Sequence, residues 1–318
     1  MTVALEVAGV SVTYRPGRDD AVAALRDVSL TVRRGRTLAL VGESGSGKTT
    51  LARVILGLER RESGVVRVDG IDVAADPSRV PREVRKRIQP LFQDPGASLD
   101  PMWRMRDLLI EAMDVSGSVP PSMRPARIGE LLLALGLADD LLDRRVHELS
   151  GGQKQRFALA RALATGADML VLDEPLTALD PPAQRAAMDL FATLKRDRGV
   201  TTLLVSHDLD LVRTAADDVV VLYRGRVVES GPTTDVLGTP RHPYTRLLLA
   251  SVMPPNPAEA RRRLAALPED DAVADPVPSG CAFAPRCPLV VDACRVATPH
   301  PKPIRDGAEH AAACPVSV

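Results

Sequence analysis

Three short stretches of this chain carry residue types whose spacing suits phosphate chemistry. Gly42 to Thr49 reads GESGSGKT, a P-loop pattern. Gly42, Gly45 and Gly47, with the small Ser46, let backbone N–H groups close around phosphate oxygens. Lys48 can reach the terminal phosphates, and the Thr49 hydroxyl, followed by Thr50, can ligate Mg²⁺. Asp173-Glu174 follows the apolar run MLVL. There one acid can hold Mg²⁺ and the second can polarise a water for attack on a γ-phosphate. Taken alone, the same pair would serve equally well as a capping pair after any strand. Leu149 to Gln153 reads LSGGQ. Ser150 is a fitting N-cap, and Gly151 and Gly152 leave the start of the next helix open to an anion. One P-loop needs no second phosphate-facing helix start, whereas two subunits facing head-to-tail do. A capped helix with a flexible entry fits the same residues.

These residues need a scaffold that brings strand ends together. Thr37 to Val41 runs apolar into the P-loop, which gives a buried strand, a glycine turn and then a helix. Leu5 to Tyr14 and Leu25 to Val32 alternate with a period near two, and Gly64 to Val73 reads as a strand pair around a turn. From Pro90 to about Gly152 the pattern is helical. Met169 to Leu172 and Thr201 to Val205 are further apolar strands, the latter ending in Ser206-His207. Val219 to Tyr223 and Arg226 to Glu229 flank an Arg-Gly turn. Strands alternating with helices imply a mainly parallel α/β sheet. There is no internal repeat, so one copy of this core is expected.

Composition narrows the classes. The chain has 318 residues, enough for about two domains. Lys plus Arg equals Asp plus Glu at 41 each, and aromatics make up 3%. Neutral charge argues against a general nucleic-acid binder, and scarce aromatics argue against a base-stacking platform. The apolar runs are too short to span a bilayer. MTVALEVAGV lacks the basic region and apolar core of a secretory signal, so a cytosolic chain is expected.

After Gly231-Pro232 the composition shifts toward proline. Cys281, Cys287, Cys294 and Cys314 all fall in the last 38 residues, with five, six and nineteen residues between them. These spacings match neither CxxC zinc pairs nor the bacterial ferredoxin run. A reducing cytosol disfavours structural disulfides. Spacing alone leaves iron–sulfur, zinc and free buried thiols open. Pro278, Pro285, Pro288, Pro299, Pro301, Pro303 and Pro315 leave little room for a conventional core, so a bound metal could supply fold energy there.

The P-loop, LSGGQ, the Asp-Glu strand end and His207 occur in the order found in the ATP-binding subunits of ABC transporters, and residues 3 to 232 closely resemble that family. The resemblance implies an α/β fold, a P-loop NTPase of the ABC type with an inserted helical subdomain at about 90–152. The expected division is 1–232 for the nucleotide-binding domain and 233–318 for a small, irregular, cysteine-containing extension. It also implies roles. Tyr14 stacks on adenine. Gln93, in LFQDP, senses the γ-phosphate and Mg²⁺ beside the membrane subunit. Asp173 holds Mg²⁺, Glu174 is the general base, and His207 contacts the γ-phosphate. Asp180 lies across a dimer interface. Ser150 and Gly152, within the LSGGQ run that includes Gly151 and Gln153, bind the nucleotide of the partner subunit. Thr177 stands where this subgroup usually has serine.

FQDPGASLDP, His242-Pro243-Tyr244-Thr245-Arg246 and the tail GCAFAPRCP resemble the oligopeptide/dipeptide importer ATPases. That likeness implies ATP and Mg²⁺ as cofactors and favours a 4Fe–4S cluster on the four cysteines, with zinc as the alternative. It implies a peripheral protein on the cytoplasmic face of the membrane. Its partners would be two transmembrane permease subunits, a second and similar ATPase subunit and, indirectly, an extracytoplasmic solute-binding protein, with no nucleic acid. Peptides are the expected solute. Nickel or another small solute is the alternative, and a soluble non-transport ATPase of the same family is the remoter one.

Overall fold

The computed structural model describes residues 2–15, 21–92, 99–176, 181–251 and 279–316. In chain order the strands are β1 (Val3–Tyr14), β2 (Val22–Arg33), β3 (Thr37–Val41), β4 (Ser63–Val68), β5 (Ile71–Asp72), β6 (Ile88–Leu91), β7 (Met169–Asp173), β8 (Thr201–Val205), β9 (Asp218–Tyr223), β10 (Arg226–Pro232), β11 (Lys302–Pro303) and β12 (Ala311–Ala312). The helices are α1 (Lys48–Ile55), α2 (Arg82–Arg87), α3 (Met105–Ser116), α4 (Arg124–Leu135), α5 (Gly151–Ala164), α6 (Pro181–Arg198), α7 (Leu209–Ala215), α8 (Thr233–Gly238), α9 (Pro243–Ala250) and the short α10 (Ala293–Val296).

The strands form two sheets. One has the order β2-β1-β4-β5, and the other β11-β12-β10-β9-β3-β8-β7-β6. Within the second, β6, β7, β8, β3 and β9 are parallel neighbours, as the alternation of strands and helices requires. The period of two divides each central strand between two cores. Leu38 and Leu40 point toward the antiparallel sheet and α1, with Val220 and Leu222 beside them. Ala39 and Val41 point the other way, with Val219, Val221 and Tyr223. A third core belongs to α3, α4 and α5, where Leu108, Leu109, Met113, Leu131, Leu132, Leu135 and Phe157 pack together.

Two expectations are corrected here. Pro90 opened the stretch read as helical, yet it lies within β6, at the edge of the sheet. An edge strand tolerates proline because the missing N–H can face outward. The proline-rich tail was expected to lack a hydrophobic core. Instead it shares the core of the large sheet, where Cys281, Phe283, Ala284 and Cys294 pack with Tyr223 and Tyr244. Phe283 meets Tyr223 edge-on with ring centroids 5.4 Å apart, and lies 5.6 Å from Tyr244. Borrowed apolar surface thus supplies folding energy to the tail.

The tail is also tied in by polar groups. Ala312 pairs with Glu229 and Ala311 with Ser230, so β12 extends the sheet beyond β10. The fully buried Glu229 carboxylate accepts from the backbone N–H of Arg241 at 2.7 Å and of His242 at 2.9 Å. It also pairs with His310 Nε2 at 2.6 Å. One carboxylate therefore fastens the entry to α9 and the end of the tail to the same strand.

Candidate active site

The P-loop leaves β3 and enters α1 through left-handed glycines. Gly47, the N-cap of α1, has φ 105°, and no side chain caps the helix. A Cβ on Gly47 would stand 2.5 Å from the Ala24 carbonyl oxygen, and one on Gly42 would stand 2.2 Å from that of Leu222. Glycine is needed at both because neighbouring backbone fills the space. The open start of α1 therefore faces the loop with its N–H groups and its positive dipole end. The Ser46 hydroxyl is buried and has no hydrogen-bond partner among the described residues. Lys48 is buried too, and its ammonium donates to the carbonyls of Gly42 at 2.8 Å and Glu43 at 2.9 Å.

The acids arrive from β7. Asp173 closes the strand, and Glu174 turns into the left-handed region at φ 49° while its N–H donates to Val205 at 3.0 Å. A non-glycine residue held there stores strain, which is characteristic of functional sites. His207, just past β8, places Nδ1 3.0 Å from Glu174 Oε1. Burial lowers the Lys48 pKa, opposed by the charges of Glu174, Asp173 and Glu43. Burial raises that of Asp173, and the charge of Glu174 adds to the effect, while a hydrogen bond from Thr49 opposes it. A hydroxyl and a desolvated carboxylate thus stand side by side, and the charges of Arg53 and Lys48 only partly offset the burial. That donor set fits a hard divalent cation such as Mg²⁺.

A cleft of about 870 Å³ joins these parts. Gly45, Gly47, Lys48, Thr49, Thr50, Glu174 and His207 line it. Tyr14 is not among its lining residues. Its hydroxyl donates to Glu59 at 3.0 Å and lies 3.4 Å from that of Thr50, on the flank of α1. Gln93 and Asp180 lie outside the described residues.

The LSGGQ residues stand apart from this cleft. Ser150 and Gln153 form a reciprocal capping box at the start of α5: Ser150 Oγ accepts from the Gln153 N–H at 3.3 Å, and Gln153 Oε1 accepts from the Ser150 N–H at 2.9 Å. The Ser150 hydroxyl keeps its own proton to donate. Nothing lies within 4 Å of a Cβ built on Gly151 or Gly152, and neither has positive φ. Among the described residues there is therefore no reason for glycine at either position. Farther along α5, buried Gln155 donates to the Pro175 carbonyl at 2.9 Å, which ties the helix to the loop after Glu174.

The four cysteines are free thiols. Burial raises the pKa of Cys281, Cys287 and Cys314, and neighbouring cysteines of the set add to it. The sulfurs thus influence one another, but among the described residues no group of three or more His, Cys, Asp or Glu is arranged to hold a metal ion. The expected 4Fe–4S or zinc site is thus not seen among the described residues. No described helix is long and apolar enough to cross a membrane.

Sequence reasoning missed several residues at the cleft. Arg26, Arg224 and Arg226 line it, as do Gly280, Ala282 and Thr298 from the tail. Tyr244, read only as part of a helix start, accepts the Glu43 N–H at 2.8 Å through its hydroxyl. The HPYTR run was the available signal for Tyr244. Nothing in the local sequence marks the tail residues.

Comparison with known proteins agrees with this geometry. The family described as ABC transporter matches residues 25–177, and the oligopeptide/dipeptide transporter C-terminal region matches 228–294. A Brucella ovis protein named for ATP binding in peptide import is 39% identical over 313 residues, 98% of each chain. A Sinorhizobium fredii protein named as a peptide ABC transporter ATP-binding protein is 40% identical, over 93% of this chain and 83% of that one. Among solved structures, the ATP-binding cassette MJ0796, as a post-hydrolysis dimer with ADP and Pi, aligns at TM-score 0.62 and 28% identity over 72% of this chain and 98% of its own. The cbiO1 protein of Clostridium perfringens, part of the transporter complex cbiONQ, aligns at TM-score 0.66 and 28% identity, over 75% and 92%.

Proposed function

The chain belongs to the ABC transporter family of ATP-binding proteins and is an ATPase, and we propose that it drives import of peptides as one of two facing ATPase subunits. The observation that carries this reading is the division of the site. One chain gathers the P-loop, Glu174 and His207 around one cleft, with Asp173 hydrogen-bonded to Thr49 of its lining, while its LSGGQ helix start stands away from it. Glycines that no described residue crowds, and a serine hydroxyl with a proton to spare, suit a nucleotide held by another subunit.

In this proposal the P-loop amides, the α1 N-terminus and Lys48 bind the phosphates, and Tyr14 stacks on adenine. Thr49 and Asp173 hold Mg²⁺, which neutralises phosphate charge when bound. Gln93 senses the γ-phosphate, and Asp180 faces the partner across the interface. Glu174 takes the proton of the attacking water, and His207 both orients Glu174 and reaches the γ-phosphate. Closure of the two subunits pushes on two permease subunits at the cytoplasmic face of the membrane, through the region from Gln93 to Trp103. The exposed apolar side chains of Met102 and Trp103 support that contact. A solute-binding protein outside the membrane delivers the solute. The division into a nucleotide-binding domain at 1–232 and an extension at 233–318 belongs to the same reading. The relatives' names and the match of the extension favour peptides over nickel. The 4Fe–4S or zinc reading of the four cysteines rests on family resemblance alone. Analysis of anaerobically purified protein for iron, labile sulfide and zinc decides it, and a result of no metal with four titratable thiols removes it.

The test of the two-subunit mechanism is Ser150→Arg. The variant is expected to bind ATP but fail to dimerise on it, with peptide uptake by the assembled transporter lost. Hydrolysis by the strictly monomeric chain at the rate of the full complex would overturn the reading.

A further inference from the structure

Glu43, the second residue of the P-loop, is gripped at every polar group it has. Its N–H donates to the Tyr244 hydroxyl at 2.8 Å, and its carbonyl accepts from Lys48 at 2.9 Å. Its carboxylate is held by Arg286, whose Nη1 lies 3.1 Å from Oε2 and 3.3 Å from Oε1, with Nη2 3.3 Å from Oε1. Two of these three partners lie far along the chain. Tyr244 opens α9, and Arg286 sits between Cys281 and Cys294 in the tail. The guanidinium also approaches the Tyr223 hydroxyl at 3.5 Å and stacks over Phe283 at 5.8 Å from the ring centre. These contacts fix its place against the sheet.

A carboxylate in a phosphate-binding loop is a liability. It repels a triphosphate with the same Coulomb force that brings Lys48 toward one. The Glu43 charge is felt at the Lys48 ammonium. The Glu43 side chain is 41% exposed, and that of Arg286 is 25% exposed, so water screens the pair only in part.

We propose that Arg286 is a positioning residue of the ATPase, a cation lent by the tail that cancels the Glu43 charge and holds the P-loop in its phosphate-binding shape. The tail is then a working wall of the nucleotide cleft, consistent with Gly280, Ala282 and Thr298 along its lining. The proposal rests on the P-loop cleft being the ATP site.

The test measures ATP binding to the full chain, and KM and kcat in the assembled transporter. Arg286→Met is expected to weaken ATP binding roughly tenfold, the effect of one uncancelled like charge at partial screening. KM should rise with it while kcat stays within about twofold. The double variant Glu43→Gln, Arg286→Met removes both charges and should return affinity to within about threefold of the parent. A brace with no electrostatic role predicts instead that the double variant binds as poorly as Arg286→Met, and that result overturns the proposal. So does an Arg286→Met variant that binds ATP like the parent. If Arg286→Met does not fold, Glu43→Gln alone decides. It takes the negative charge out of the loop and should bind ATP at least as tightly as the parent, so weaker binding overturns the proposal. Lys48→Ala separates the two readings. Undiminished ATP binding in that variant removes the nucleotide site itself, whereas loss there with no effect at Arg286 removes only this inference.

Discussion

At the P-loop, function depends on backbone groups from one continuous stretch, Gly42 to Thr49. At the tail, the fold depends on side chains that meet from segments scattered over much of the chain: Glu229, His242, Tyr244, Phe283, Arg286 and His310. The first kind of site is local. Its glycines, its lysine and its strand–turn–helix context are neighbours in sequence, so a motif describes it fully. The second kind exists only after the chain has folded back on β9 and β10. Yet Glu43 belongs to both regions, and the loop that reads as self-contained is braced from outside.

The sharpest test of the local region is Glu174→Gln. The amide keeps the shape but cannot accept the water's proton. Turnover in the assembled complex should fall about 10²–10⁴-fold while ATP binding is kept. Turnover within a few-fold of the parent would remove Glu174 from its role.

For the tail, the largest effect is expected at Tyr244, which is fully buried and packed on Tyr223 with centroids 4.4 Å apart. Tyr244→Ala should cost about 3–5 kcal/mol in denaturant unfolding. It should also weaken ATP binding, because Glu43 loses its hydroxyl partner. A loss of stability without any change in ATP binding would return the two regions to independence.

A pH titration reaches the same cluster. Burial pushes the His242 pKa down from 6.5 to about 4. Its Nδ1 accepts from the Tyr244 N–H at 3.1 Å, which requires an unprotonated nitrogen. Between those two values the unfolded chain binds the proton and the folded chain does not, so folding weakens as pH falls. The contribution is complete above about 6.5 and lost by about 4, and amounts to about 3 kcal/mol. His242→Asn should flatten that part of the stability profile, read from denaturant midpoints across pH. An unchanged profile would mean that His242 titrates normally.

The smallest effect is expected at Ser150. Ser150→Ala removes the cap of α5 at a cost of about 1 kcal/mol. Dimerisation on ATP should suffer more than stability does, because the hydroxyl faces outward. Equal, small changes in both would make Ser150 a cap and nothing more.

Much of this fold and site was legible beforehand. β3, β7 and β8 fall where their apolar runs lie, and the P-loop, Glu174 and His207 converge as their motifs require. These features are encoded within a few residues of one another, by periodicity, glycine geometry and the chemistry of the strand ends. The LSGGQ run was legible as a helix start, and Ser150 does cap α5. Pro90 was misread because its tolerance depends on being at a sheet edge, which is a property of the assembled sheet.

The sequence by itself determined the phosphate-binding loop, the acids behind it and the order of strands and helices, because local sterics and hydrogen-bonding capacity decide those. Tertiary structure alone decided how the cysteine-bearing tail is held and what it touches. Phe283 could find a core only once β9 exposed Tyr223. Glu229 could gather Arg241, His242 and His310 only once β10 had formed. Arg286 meets Glu43 across 243 positions of sequence. No local pattern encodes that pairing, because it arises where segments far apart in sequence come to rest against each other.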